Sequence, residues 1–107
     1  MLLDDVLQEL RSLNFRLHLG VVGSVARGDY TSESDVDIFV DGDDLDFDEI
    51  FMIKNMIKNK FNRECDVVQS ELAKEDDIEM DKIMTRLGLG INDESIYKNM
   101  IREVVWT

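Results

Sequence analysis

Two apolar runs, Phe15–Val22 and Val36–Val40, and the short polar stretch between them limit what this chain can become. In the first run Phe15, Leu17, Leu19 and Val21 alternate, the period of two that places them on one face of a strand. In the second, Val36, Ile38 and Val40 are expected to face the core, with Asp35, Asp37 and Phe39 on the opposite face. Gly23-Ser24 follows the first run directly, residues 24–28 suit a short helix, and the polar residues 29–34 suit a loop. Two carboxylates at i and i+2 on a strand share a face, with Cα atoms roughly 6.6 Å apart at ~3.3 Å rise per residue. They can converge on one hard cation, because magnesium takes oxygen ligands and is commonly held by one or two carboxylates together with substrate phosphates. The Gly-Ser turn can offer backbone N–H groups and a hydroxyl to phosphate oxygens, and glycine lets the backbone approach a ligand closely. Either half alone is uninformative. Together, between two strands, they form a candidate phosphate-and-metal site.

The rest of the chain supplies the elements around it. Leu2, Leu3, Val6, Leu7, Leu10 and Leu13 recur at helical spacing and predict an amphipathic helix near 2–14. A helix follows the Asp41–Asp46 turn, with Asp46 as N-cap and Glu49 completing a capping box. Its apolar face is Phe47, Ile50, Phe51, Ile53, Met56, Ile57 and Phe61, and Lys54, Lys58 and Lys60 suit its C-terminal dipole. Glu64–Val68 reads as a third strand. A strand, a crossover helix and a further strand make a unit whose strands run parallel, which would set Asp66 beside the Asp35/Asp37 pair, ~4.8 Å from strand to strand. Ala73 to Leu87 reads as a helix with Met80, Ile83, Met84 and Leu87 on one face and Gly88 as its stop. A last helix uses Ile96, Tyr97, Met100, Ile101 and Val104, capped by Asn92 or Asp93. Trp106 reads equally well as a core residue or an exposed anchor.

The 107 residues suit one domain, 1–107. A net charge of −12, from 24 acidic and 12 basic residues, argues against sequence-independent nucleic-acid binding, which needs cationic surface. It favours a basic partner or a metal-bridged ligand. One cysteine, Cys65, allows no intrachain disulfide and fits a reducing cytoplasm. His18, without a cysteine or second histidine, fits a packed or half-exposed strand position better than a zinc or triad role. The acidic N-terminus is unlike a signal peptide, and no apolar run approaches the ~20 residues that span a bilayer. A soluble, cytoplasmic protein is expected.

Gly-Ser, ten residues, then Asp-x-Asp resembles the nucleotidyltransferase signature of the DNA polymerase beta-like superfamily. The chain most resembles the minimal nucleotidyltransferases, antitoxin-type proteins encoded beside HEPN-domain toxins. Gly23, Ser24, Asp35 and Asp37 fill the signature, Ala26-Arg27-Gly28 and Ser34 are similar to family residues, and Asp66 fills the place of the third family carboxylate. The likeness covers residues 15–70 well and the last dozen loosely. It implies an α/β nucleotidyltransferase domain with a small mixed three- or four-stranded sheet flanked by helices. It implies ATP as substrate, with its phosphates at Gly23, Ser24 and Arg27, and magnesium at Asp35, Asp37 and Asp66. Arg27 has an equally good reading as a surface ion pair with Asp29 or Glu33. The resemblance further implies transfer of AMP to a tyrosine of a cognate HEPN ribonuclease, presented as acceptor because the chain has no acceptor domain of its own. Neutralisation by contact alone and transfer to a small molecule such as an antibiotic are the alternatives.

Overall fold

The computed structural model describes residues 1–13, 18–42, 45–90 and 95–107. In chain order the elements are α1 (Leu2–Ser12), β1 (Leu19–Val22), α2 (Gly23–Arg27), β2 (Val36–Val40), α3 (Phe47–Phe61), β3 (Cys65–Gln69), α4 (Ser70–Arg86), α5 (Ile96–Glu103) and β4 (Val105–Trp106). Among the described residues, these five helices flank a four-stranded mixed sheet of order β3-β2-β1-β4. β1 pairs antiparallel with β2 and β4, whereas β2 and β3 run parallel. Parallel neighbours need a crossover rather than a tight turn, and α3 provides it.

One sheet face carries the core. Leu19, Val21, Val36, Ile38 and Val40 pack with Val6, Leu7 and Leu10 of α1 and with Ile53 and Ile57 of α3. The capping box forms as expected: the Asp46 carboxylate accepts from the Glu49 N–H at 2.9 Å, and the Glu49 carboxylate accepts from the Asp46 N–H at 3.3 Å. The buried face of α3 is narrower than its apolar pattern, because a helix lying on a sheet buries one stripe. Phe47 and Phe51 sit about 120° and 160° around the helix from Ile53, and both are exposed. Burial also decides the state of Cys65, whose thiol is pushed up to about 12 and stays protonated.

Phe39 corrects the simple alternation. It faces away from the core as expected, yet it is buried, because the Trp106 ring lies 5.8 Å from it. Gly20, which pairs with both residues, makes this possible. A Cβ there would lie 2.6 Å from Val104 Cγ2 and 3.0 Å from Trp106 Cε3. Trp106 is thus a half-buried residue of β4, with His18 stacked on it at 4.5 Å between ring centroids. A two-residue strand has no periodicity to read, so the residue pattern does not mark β4. The N-cap of α5 is Ser95, whose Oγ accepts from the Lys98 N–H at 3.1 Å. Phe15, Leu17, Asn92 and Asp93 lie outside the described residues. No helix among the described residues is long and apolar enough to cross a membrane.

Candidate active site

β1 ends at Val22, and Gly23 turns the chain into α2 with φ +74°, the left-handed region that favours glycine. Val22 pairs across the sheet with Asp37, so the next residue meets that side chain. A Cβ at Gly23 would collide with Asp37 Oδ2. Glycine is therefore required twice, for its backbone and for its missing side chain. α2 is anchored by buried Val25. It closes where Gly28 and Asp29 donate their N–H groups to the Ser24 carbonyl at 2.9 and 3.2 Å. Ser24 itself stands half-buried in the first turn, where backbone N–H groups lack intrahelical acceptors.

The loop from Asp29 to Ser34 then brings in the carboxylates. Thr31 donates its N–H to Ser34 Oγ at 2.8 Å. Arg63 Nη1 donates to the carbonyls of Thr31 and Ser34, both at 2.8 Å, with its guanidinium 5.4 Å from the Tyr30 ring centroid. Val36 donates its N–H to the Glu64 carbonyl at 2.9 Å. Arg63 thus fixes the residue that precedes Asp35. Sequence reasoning missed it, since the only local signal is one basic residue just ahead of a strand.

Asp35 is exposed immediately before β2, Asp37 is half-buried within it, and exposed Asp66 stands on β3 in register with Asp37. The Asp37 carboxyl is pushed above its ordinary value of 3.8, first by burial, then by the charges of Asp66 and Asp35, with Arg27 opposing. Among the described residues, no three His, Cys, Asp or Glu side chains already stand in metal-ligating geometry. The donor set still fits a hard divalent cation, because all three groups offer carboxylate oxygen and a cation offsets the Asp66 and Asp35 charges that add to burial in raising Asp37.

Arg27 lies on α2 with its guanidinium engaged. Nε donates to Asp29 at 3.1 Å and Nη1 to Glu103 of α5 at 3.0 Å. The ion pair with Asp29 is therefore present, and Glu103 is a second partner from the far end of the sequence. Exposed pairs of this kind contribute little, yet the charge is felt at Asp37. His18 lies at the other end of β1, its carbonyl accepting from the Asp41 N–H at 3.0 Å. The candidate site therefore offers carboxylates, a hydroxyl and backbone N–H groups. That set suits phosphoryl chemistry, in which the protein mainly positions and stabilises charge.

A search of curated proteins finds no match. The family model of the nucleotidyltransferase domain matches residues 3–101, a span that runs from α1 into α5 and includes Gly23, Ser24, Arg27, Asp35, Asp37 and Asp66. A match over almost the whole chain, on a fold that gathers the signature residues at one end of the sheet, shows that this chain belongs to the nucleotidyltransferase domain family.

Proposed function

We propose that this chain is an antitoxin-type protein adenylyltransferase, which moves AMP from ATP to a tyrosine hydroxyl of a cognate HEPN-type ribonuclease toxin. The observation that carries transfer is the register of Asp37 with Asp66, beside Asp35 and against the Gly23-Ser24 turn. The net charge of −12 supports a basic acceptor, and the resemblance to the minimal family supports the antitoxin role. Ser24 and the first-turn N–H groups hold the terminal phosphates, and Arg27 adds positive charge beside them. Asp35, Asp37 and Asp66 would hold magnesium, which would supply positive charge to stabilise the transferring phosphoryl group. Asp66 takes the proton of the incoming hydroxyl. The hydroxyl oxygen bonds to the α-phosphorus, the bond to the β-phosphate oxygen breaks, and pyrophosphate leaves. The adduct adds bulk and negative charge at an RNA-binding site, much as phosphorylation does.

The test incubates the toxin with this protein, magnesium and ATP, followed by intact-protein and peptide mass spectra. The toxin gains AMP at a defined tyrosine and stays inactive after the two are separated. Inhibition only while they are mixed, with no adduct from any common nucleoside triphosphate, makes the protein a contact antitoxin instead. Labelled nucleotide appearing on an antibiotic in place of the toxin makes it a small-molecule transferase.

The loop clamp gives a second expectation. Arg63→Ala releases Thr31 and Ser34 and lets Asp35 drift, so turnover falls about 10- to 100-fold, the range a misplacement near 1 Å produces. The nucleotide KM stays within about threefold, because the phosphate contacts are elsewhere. Steady-state kinetics check this, and a large KM change with unaltered kcat assigns Arg63 to nucleotide binding instead.

A further inference from the structure

Among the described residues, α4 carries an apolar seam that stands exposed. Leu72, Met80, Ile83 and Leu87 are 48%, 48%, 47% and 66% exposed. With Asp76 they fall within a sector of about 80° on a helix of 3.6 residues per turn. Their spacing of four, four, three and four residues is close to the eleven-residue repeat of paired helices, about 3.67 residues per turn. The seam is distinct from the side of α4 that meets α5, where Lys98 Nζ stands 3.1 Å from Asp81 and 3.7 Å from Asp77. On the seam's other flank, Glu75, Glu79, Lys82 and Arg86 share a sector of about 60°. The two acids lie in the N-terminal half of this flank and the two bases in the C-terminal half.

We propose that this seam pairs with the α4 of a second copy of the chain, antiparallel, about a two-fold axis near Met80. The charges select both the occupant and the direction. An antiparallel two-fold pair lays Glu75 and Glu79 of one copy along Lys82 and Arg86 of the other, and the symmetry makes the same match twice. A parallel two-fold pair would not bring this flank against itself, because opposite flanks of the seam then meet. Asp76, the one polar residue in the seam, meets the C-terminal half of the other copy, where Arg86 can answer it. The net charge of −12 opposes association, but separations beyond ~8 Å are largely screened at physiological salt, whereas the flank charges meet at close range. Four turns of one helix fall short of the ~800 Å² per partner of a standard interface, so the dimer is weak and reversible. This pairing is independent of the acceptor named above.

The test is sedimentation of the full chain at physiological salt, from about 1 μM to about 1 mM, the range in which weak pairs dissociate. A monomer–dimer equilibrium is expected. Ile83→Asp places a charge in the seam and weakens it at least about tenfold. The pair Glu75→Lys with Glu79→Lys, and separately Lys82→Glu with Arg86→Glu, each leave a one-sign flank and give monomers. An equimolar mixture of those two double variants associates again. All of these positions are surface ones, and circular dichroism melts confirm that each variant is folded. The proposal fails if the parent is monomeric throughout, if Ile83→Asp leaves its dimer intact, or if the mixture of double variants stays monomeric. It also fails if the seam variants lose only a foreign partner, which would assign α4 to that protein.

Discussion

Asp37→Asn is expected to lose nucleotidyl transfer by at least about 10³-fold while melting higher than the parent protein at neutral pH. The loss follows from position. Asp37 stands between Asp35, two residues away on the same side of the chain, and Asp66, its register partner on β3. Asparagine keeps the shape and removes the charge that a divalent cation needs. The gain in stability follows from the raised carboxyl. Between its ordinary value of 3.8 and its higher folded value, the native state holds the proton more tightly than the unfolded chain does. Stability therefore falls as pH rises through that window, and the penalty is fully present above the folded value. Asparagine removes it. At a half-exposed site solvent screens the charges, so the gain is small and reads as a modest rise in melting temperature. The difference between the two proteins disappears below the ordinary value, where both states are protonated. Melting curves across pH read it directly. Transfer at the parental rate would remove Asp37 from the site, and a lower melting point at pH 7 would contradict the repulsion.

Gly23→Ala is expected to lose about 1–2 kcal/mol of stability and about 10²-fold in transfer. The left-handed backbone at φ +74° accounts for the first effect. The second arises because the new methyl group claims the space of Asp37 Oδ2, and the carboxylate must turn away. Gly28→Ala separates the two contributions. Its φ of +88° carries a similar strain, but a Cβ there meets nothing within 4 Å, so it loses stability and keeps transfer. Denaturant melts and initial rates on both variants distinguish them. Equal loss of transfer in the two would mean that backbone strain, rather than contact with Asp37, is what Gly23 avoids.

The parts of this protein legible in its sequence are those set by neighbours a few residues apart. Alternation placed β2 at Val36–Val40, and the Asp46–Glu49 box started α3 where the structure starts it. Gly88, at φ +77°, lies just beyond the end of α4. Gly23, Ser24, Asp35 and Asp37 stood out because the turn and the acidic pair sit within one short stretch of chain. Asp66 needed one further step, the inference that a crossover helix makes β2 and β3 parallel, and the register then sets it opposite Asp37. Tertiary structure alone decided the rest. Arg63 reaches carbonyls 32 and 29 residues away, and Arg27 meets Glu103 76 residues on. Phe39 is buried because a two-residue strand from the end of the chain lays Trp106 across Gly20. No local pattern marks such contacts, because a hydrogen bond or ring contact formed after the sheet closes depends on where two backbones arrive, and short-range periodicity and capping do not encode that arrival.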